Sequence, residues 1–132
     1  MDFLAAGNSG VNFGWRCMEG ELCFKPSHKC NDGSLTLPII SYHHNNGCAV
    51  ISGYRYRGKH YPGLTRAYLY ADFCTMKIHA AVQTGDGKWK SIIVGKSKYP
   101  VTALGENEDG ELYLSVFGEE SGAVYSIGIA DQ

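Results

Sequence analysis

His43 and His44 stand side by side just ahead of the turn Asn45-Asn46-Gly47, and they are the first residues in the chain suited to proton transfer near neutral pH. Neighbours in an extended chain point opposite ways, so only one of the two faces a given pocket. His44 is carried as the catalytic candidate, against the simpler reading of a loop histidine hydrogen-bonded to backbone. Arg55 and Arg57 pose a similar choice. By alternation they share a face with Ile51, either solvated or set around a polar cavity where two guanidinium groups would hold an anion. Arg57 is the second catalytic candidate.

The five cysteines are Cys17, Cys23, Cys30, Cys48 and Cys74, an odd number that leaves one thiol over. Cys23, His28 and Cys30 offer soft metal ligands, but the close Cys-x-x-Cys pairs of tetrahedral zinc sites are missing. Disulfides in an oxidising compartment explain the count more simply, so no metal is expected. Cys48 and Cys74 flank neighbouring strands and can meet across a turn. Among the other three, Cys17 with Cys30 and Cys23 with Cys30 are both open, and Cys17 and Cys30 are carried as the pair. The acidic run Glu106, Glu108, Asp109 lacks the ligand spacing of a calcium loop and reads as a solvated turn.

The elements that must position these residues are strands. With 132 residues, 44% of them hydrophobic, the chain is one domain of ordinary size. Twelve basic against 13 acidic residues leave a net charge of -1, which offers nothing to nucleic acid or an anionic membrane. Seventeen glycines and nine tyrosines, with few runs of helix formers, favour an all-β chain rich in tight turns. No stretch reaches the roughly 20 apolar residues of a membrane span, and no secretion signal is visible at Met1.

Period-2 alternation is clearest from Gly47 to Val82. Val50, Ser52, Tyr54 and Tyr56 are expected on one face, with Ile51, Gly53, Arg55 and Arg57 on the other. After the breaker-rich loop Gly58–Gly63, Ala67, Leu69 and Ala71 alternate against Tyr68, Tyr70 and Asp72. Strands are further expected at Lys77–Gln83, Lys88–Val94, Val101–Gly105, Glu111–Phe117 and Ala123–Ile129, with Asp109-Gly110 and Ser121-Gly122 as hairpin turns. Upstream, Gly10–Arg16 reads as an aromatic plug on a β core, Cys17–Leu37 as a long disulfide-tethered loop, and Ile39–Tyr42 as a short strand. Strands in groups of three or four, here about Cys48–Gly95 and Val101–Ile129, have the form of propeller blades.

The segments NFGWRCMEG, GCAVISGYRYRGKHYPGL, YLYADFCTMKI and ALGENEDGELYLS resemble, in that order, the C-terminal portion of the glucose/sorbosone dehydrogenase family. That family of six-bladed propellers includes soluble sugar dehydrogenases using pyrroloquinoline quinone (PQQ) with calcium, and hedgehog-interacting-protein-like proteins. The resemblance implies about two four-stranded antiparallel blades of a six-bladed propeller, as a loop-rich entry (1–47), a blade (48–95) and a last, incomplete blade (96–132). It implies a Cys48–Cys74 disulfide and an extracellular or periplasmic location.

The departures bear on function. The family has glycine where this chain has Arg66 and Met76, and glycine in a turn often marks a positive φ. By offset, the family's quinone-contacting cations fall on Cys74, Pro100 and Thr102, none of them cationic. The catalytic histidine and calcium site of the enzymes lie in earlier blades. The implied function is a portion of a PQQ-dependent aldose dehydrogenase, whose whole would oxidise its sugar by hydride transfer to the quinone. The alternatives are a non-catalytic, protein-binding propeller of the hedgehog-interacting type, or an inactive remnant. The partners implied are upstream blades, further copies of the chain, or a sugar or protein ligand.

Overall fold

The computed structural model describes residues 1–118 and 120–128. The chain forms two compact units, Met1–Tyr42 and His43–Gln132. Among the described residues, no helix is long and apolar enough to cross a membrane.

The first unit is mostly irregular. Its one ladder pairs β1 (Met18–Glu19) with β2 (Leu22–Cys23) in antiparallel register, Met18 opposite Cys23 and Glu19 opposite Leu22. Gly20 turns the hairpin at φ 62°. Met18 is buried, and Gly14 lies so close that a Cβ there would sit 3.3 Å from the Met18 side chain. The N-terminal ammonium donates to the Ile40 carbonyl at 2.8 Å, and Ile39 N–H donates to the Met1 carbonyl at 2.9 Å. Ile39–Tyr42 is therefore bound to the chain start and forms no strand, contrary to expectation. Trp15 is not a plug either: it is 72% exposed and stacks on Phe24 at 5.5 Å.

The pairing carried for the N-terminal cysteines is also corrected. Cys23 bonds Cys30, with Cα atoms 5.5 Å apart, and Cys17 is free and exposed. Phe24 N–H donates to the Cys17 carbonyl at 2.8 Å, so Cys17 is opposite Phe24 and points away from the face that Met18 and Cys23 share.

In the second unit, β3 (Val50–Arg55), β4 (Tyr68–Asp72), β5 (Lys77–Gln83) and β6 (Trp89–Lys96) form an antiparallel meander in the order β3-β4-β5-β6. A second meander follows, from β7 (Val101–Glu106), β8 (Leu112–Phe117) and β9 (Gly122–Ser126). The molecule is all-β. The turns are those that glycine permits, with Gly87 at φ 82° and Gly110 at φ 78°. The last expected strand reached Ile129, which is outside the described residues.

The two sheets enclose one core. Ala67, Leu69 and Ala71 of the β4 region and Ile78 and Ala80 of β5 meet Val101, Leu104, Leu112, Leu114 and Val116. Tyr68, Tyr70 and Asp72 take the other face, as alternation requires. Alternation fails in β3, where Ile51 pairs with Ala71 but Tyr54 pairs with Leu69, so a bulge inserts one residue between them. The phase flips there. Tyr56 is buried in the same core against which Ile51 packs, and Arg55 and Arg57 lie exposed, opposite to the expected arrangement. Gly53 sits at the bulge because a Cβ would be 2.1 Å from the Leu69 carbonyl oxygen.

Candidate functional site

β3 ends at Arg55, and the chain then runs to β4 through a loop that contains the 3-10 turn Pro62–Leu64 and meets Glu111, the residue before β8. The loop is held by one carboxylate. Glu111 Oε2 accepts from the Tyr56 hydroxyl at 2.7 Å, while Oε1 accepts from Lys59 N–H at 2.8 Å and His60 N–H at 3.1 Å. The His60 Nδ1 atom is 3.4 Å from the same Oε1. The Tyr56 oxygen in turn accepts from Tyr61 N–H at 2.9 Å. Gly58 is required at the closest approach, since a Cβ would meet Glu111 Oε1 at 2.4 Å.

Burial works to raise the Glu111 pKa, but donation from Tyr56, His60 and Lys59 and the field of His60 outweigh it, and the carboxyl is held below its usual range. Burial first, then the hydrogen bond to Glu111, raises the Tyr56 hydroxyl above the usual tyrosine range. Arg57 pairs with Glu106, whose Oε2 atom is buried without a hydrogen-bond partner.

Chemically this is a clamp. An ionised carboxylate with so many donors on it is not free to take a proton from substrate. What the clamp presents outward is a basic fringe of Arg57, paired with Glu106, and Lys59 beside His60, with the Arg57 and His60 side chains 67% and 76% exposed.

A second polar set lies on the four-stranded sheet. The Tyr70 hydroxyl is 2.7 Å from Ser91 Oγ, which is 3.3 Å from His79 Nδ1, and the Tyr70 and His79 rings stack at 4.8 Å. Burial chiefly, and Lys77 after it, lower the His79 pKa against the opposing pull of Asp72. A serine beside a neutral imidazole has the composition of a nucleophile and its base. Ser91, however, pairs with Ala81 in the β5–β6 ladder, and its hydroxyl is engaged by the Tyr70 hydroxyl at 2.7 Å. The set is a hydrogen-bonded bridge across three strands. Single-sequence reading missed both it and Glu111, because the partners are 12 to 55 residues apart.

The candidates read from sequence do not converge. His44 lies on the exposed turn before β3 and Arg57 just beyond its far end. Cys74 is bonded to Cys48, as expected. Pro100 offers a carbonyl, taken by Phe117 N–H at 2.9 Å, and Thr102 Oγ1 lies 2.9 Å from Ser115 Oγ. These three positions do not fit the quinone: they supply no cation for its carboxylates. Among the described residues, no three His, Cys, Asp or Glu side chains group as metal ligands.

No protein-family model matches the chain. It is similar to a HIPL2 protein. That relative, from Arabidopsis thaliana, is 34% identical over 86 residues, covering 57% of this chain. The match spans 12% of the relative's own length.

Proposed function

We propose that this chain is a two-sheet portion of an extracellular β-propeller of the hedgehog-interacting-like type, and that it serves binding rather than quinone-dependent sugar oxidation. The observation that carries the reading is the outward face of the three-stranded sheet. Cross-strand pairing sets Ala103, Ser115 and Val124 in one row and Gly105, Tyr113 and Ser126 in the next. Neither row holds a charge, and Phe117 and Val124 stand 68% and 69% exposed. A sheet face meant for water carries polar and charged residues, so this one suits coverage by a further sheet. The opposite face of the same sheet is already covered by β3 and β4.

The similarity to a HIPL2 protein supports the propeller, the two disulfides support an oxidising compartment, and the cation-free positions Cys74, Pro100 and Thr102 weigh against the quinone. The basic fringe on the Arg57–Arg66 loop is the proposed binding surface.

Light scattering of the oxidised chain tests the covered face. Association that Val124→Glu abolishes is the expected result. A chain that remains a stable monomer at high concentration overturns it. Dye reduction by an aldose, after addition of PQQ and calcium, would instead support the dehydrogenase reading.

A further inference from the structure

Formal charge is split within the second unit. Residues 43–98 hold nine lysines and arginines against Asp72 and Asp86, whereas residues 99–132 hold seven acidic residues and no lysine or arginine. The basic excess ends on β6 and the run beyond it, where Lys88, Lys90, Lys96 and Lys98 follow one another with no acid between them. Lys88 pairs with Asp86 at 3.4 Å, and the Lys98 ammonium lies 5.2 Å from the Tyr99 ring centroid. Lys90 and Lys96 have no ion pair among the described residues, and Lys96 stands directly opposite Lys77, a cross-strand pair of like charges.

β6 is also an open edge of the four-stranded sheet, as β9 is of the three-stranded one. Ile92, Ile93 and Val94 stand exposed on β6, and Val124 and Tyr125 on β9. The edges match in length. β6 runs for five residues, 89–93, before the register shift that skips Val94, and β9 is the five residues Gly122–Ser126.

The N–H and C=O groups along such an edge can take a further strand. The lysines of β6 repel a second β6, but the residues leading into β9, Glu119-Glu120, carry the opposite charge. From this complementarity we propose that β6 of one copy of this chain takes β9 of a second copy as an added antiparallel strand. With residue 93 set against residue 122, Glu120 falls beside Lys96. The two edges differ, so the contact is heterologous and assembly passes beyond the dimer. The proposal is separate from the covered face, which uses the side chains of the three-stranded sheet rather than a strand edge.

Sedimentation of the oxidised 132-residue chain over a concentration series provides the test. The chain should associate past the dimer, and more weakly as salt rises from about 50 to about 500 mM. Lys90→Glu with Lys96→Glu, and separately Glu119→Lys with Glu120→Lys, should each weaken association by about three- to thirty-fold. Mixing these two variants should restore it, because each then meets an edge of opposite charge, and such rescue excludes misfolding as the cause of the loss. Lys25→Glu with Lys29→Glu, the same charge change in the first unit, should have no effect, alone or mixed. A chain that stays monomeric, or no rescue on mixing, overturns the inference. Association that both reversals leave unchanged and Val124→Glu abolishes also overturns it, while leaving the covered face standing. A monomer that binds poly-glutamate overturns it too, and assigns the β6 edge to an acidic partner of another kind.

Discussion

The backbone N–H of Cys48 donates to Oδ2 of Asp72 at 2.9 Å, and the side chain of the same Cys48 is bonded to Cys74, two residues past that carboxylate. Asp72 is fully buried and also accepts from Ala49 N–H, Thr75 N–H and the Thr75 hydroxyl. Asp72→Ala would strand these donors, and a loss of about 3 kcal/mol in urea unfolding is expected. A loss below about 0.5 kcal/mol would show that water replaces the carboxylate at no cost.

The two disulfides should differ in effect. Cys48–Cys74 closes a separation of 26 residues and Cys23–Cys30 one of 7, so loop entropy assigns them about 3.5 and 2.4 kcal/mol. Paired serine variants, Cys48→Ser with Cys74→Ser and Cys23→Ser with Cys30→Ser, measured by denaturant unfolding, check the order.

Arg66 and Met76 hold φ at 71° and 59°, the left-handed region that side chains disfavour. The resembled family has glycine at both positions, and this chain keeps the backbone turn without it. Arg66→Gly and Met76→Gly should each stabilise by about 0.5–1 kcal/mol, read as a rise in melting temperature. Unchanged or lower melting temperatures would show that the side chains make compensating contacts.

Glycine substitutions separate tight positions from open ones. Gly53→Ala drives a methyl into the Leu69 carbonyl and should cost about 3 kcal/mol or more. Gly85→Ala meets nothing within 4 Å and should be close to neutral. Equal thermal stability of the two variants would contradict the bulge geometry.

Glu111 links the Tyr56–Tyr61 loop to pH. Its folded pKa lies below the ordinary 4.5, so the unfolded chain takes up the proton first as pH falls. The stabilisation is complete above about pH 4.5 and is lost as pH drops through the folded value. Glu111→Gln should flatten the decline of melting temperature between about pH 5 and pH 3. An unchanged decline would assign it to other carboxylates.

The sequence alone determined the all-β class, the extents of β5 and β8 to within a residue, and the turn at Asp109-Gly110. These follow from period-2 burial and local turn chemistry, which neighbouring residues settle among themselves. In β3 the alternation held only as far as Gly53. The bulge that buries Tyr56 and exposes Arg55 and Arg57 exists because β3 must stay in register with β4 while packing on Leu104, which is a relation between distant segments. The same reason governs the rest. Whether Cys17 or Cys23 reaches Cys30, which donors gather on Glu111, and which strands bring Tyr70, His79 and Ser91 together were decided by the tertiary structure. Each depends on contacts between residues that no local pattern ties to one another.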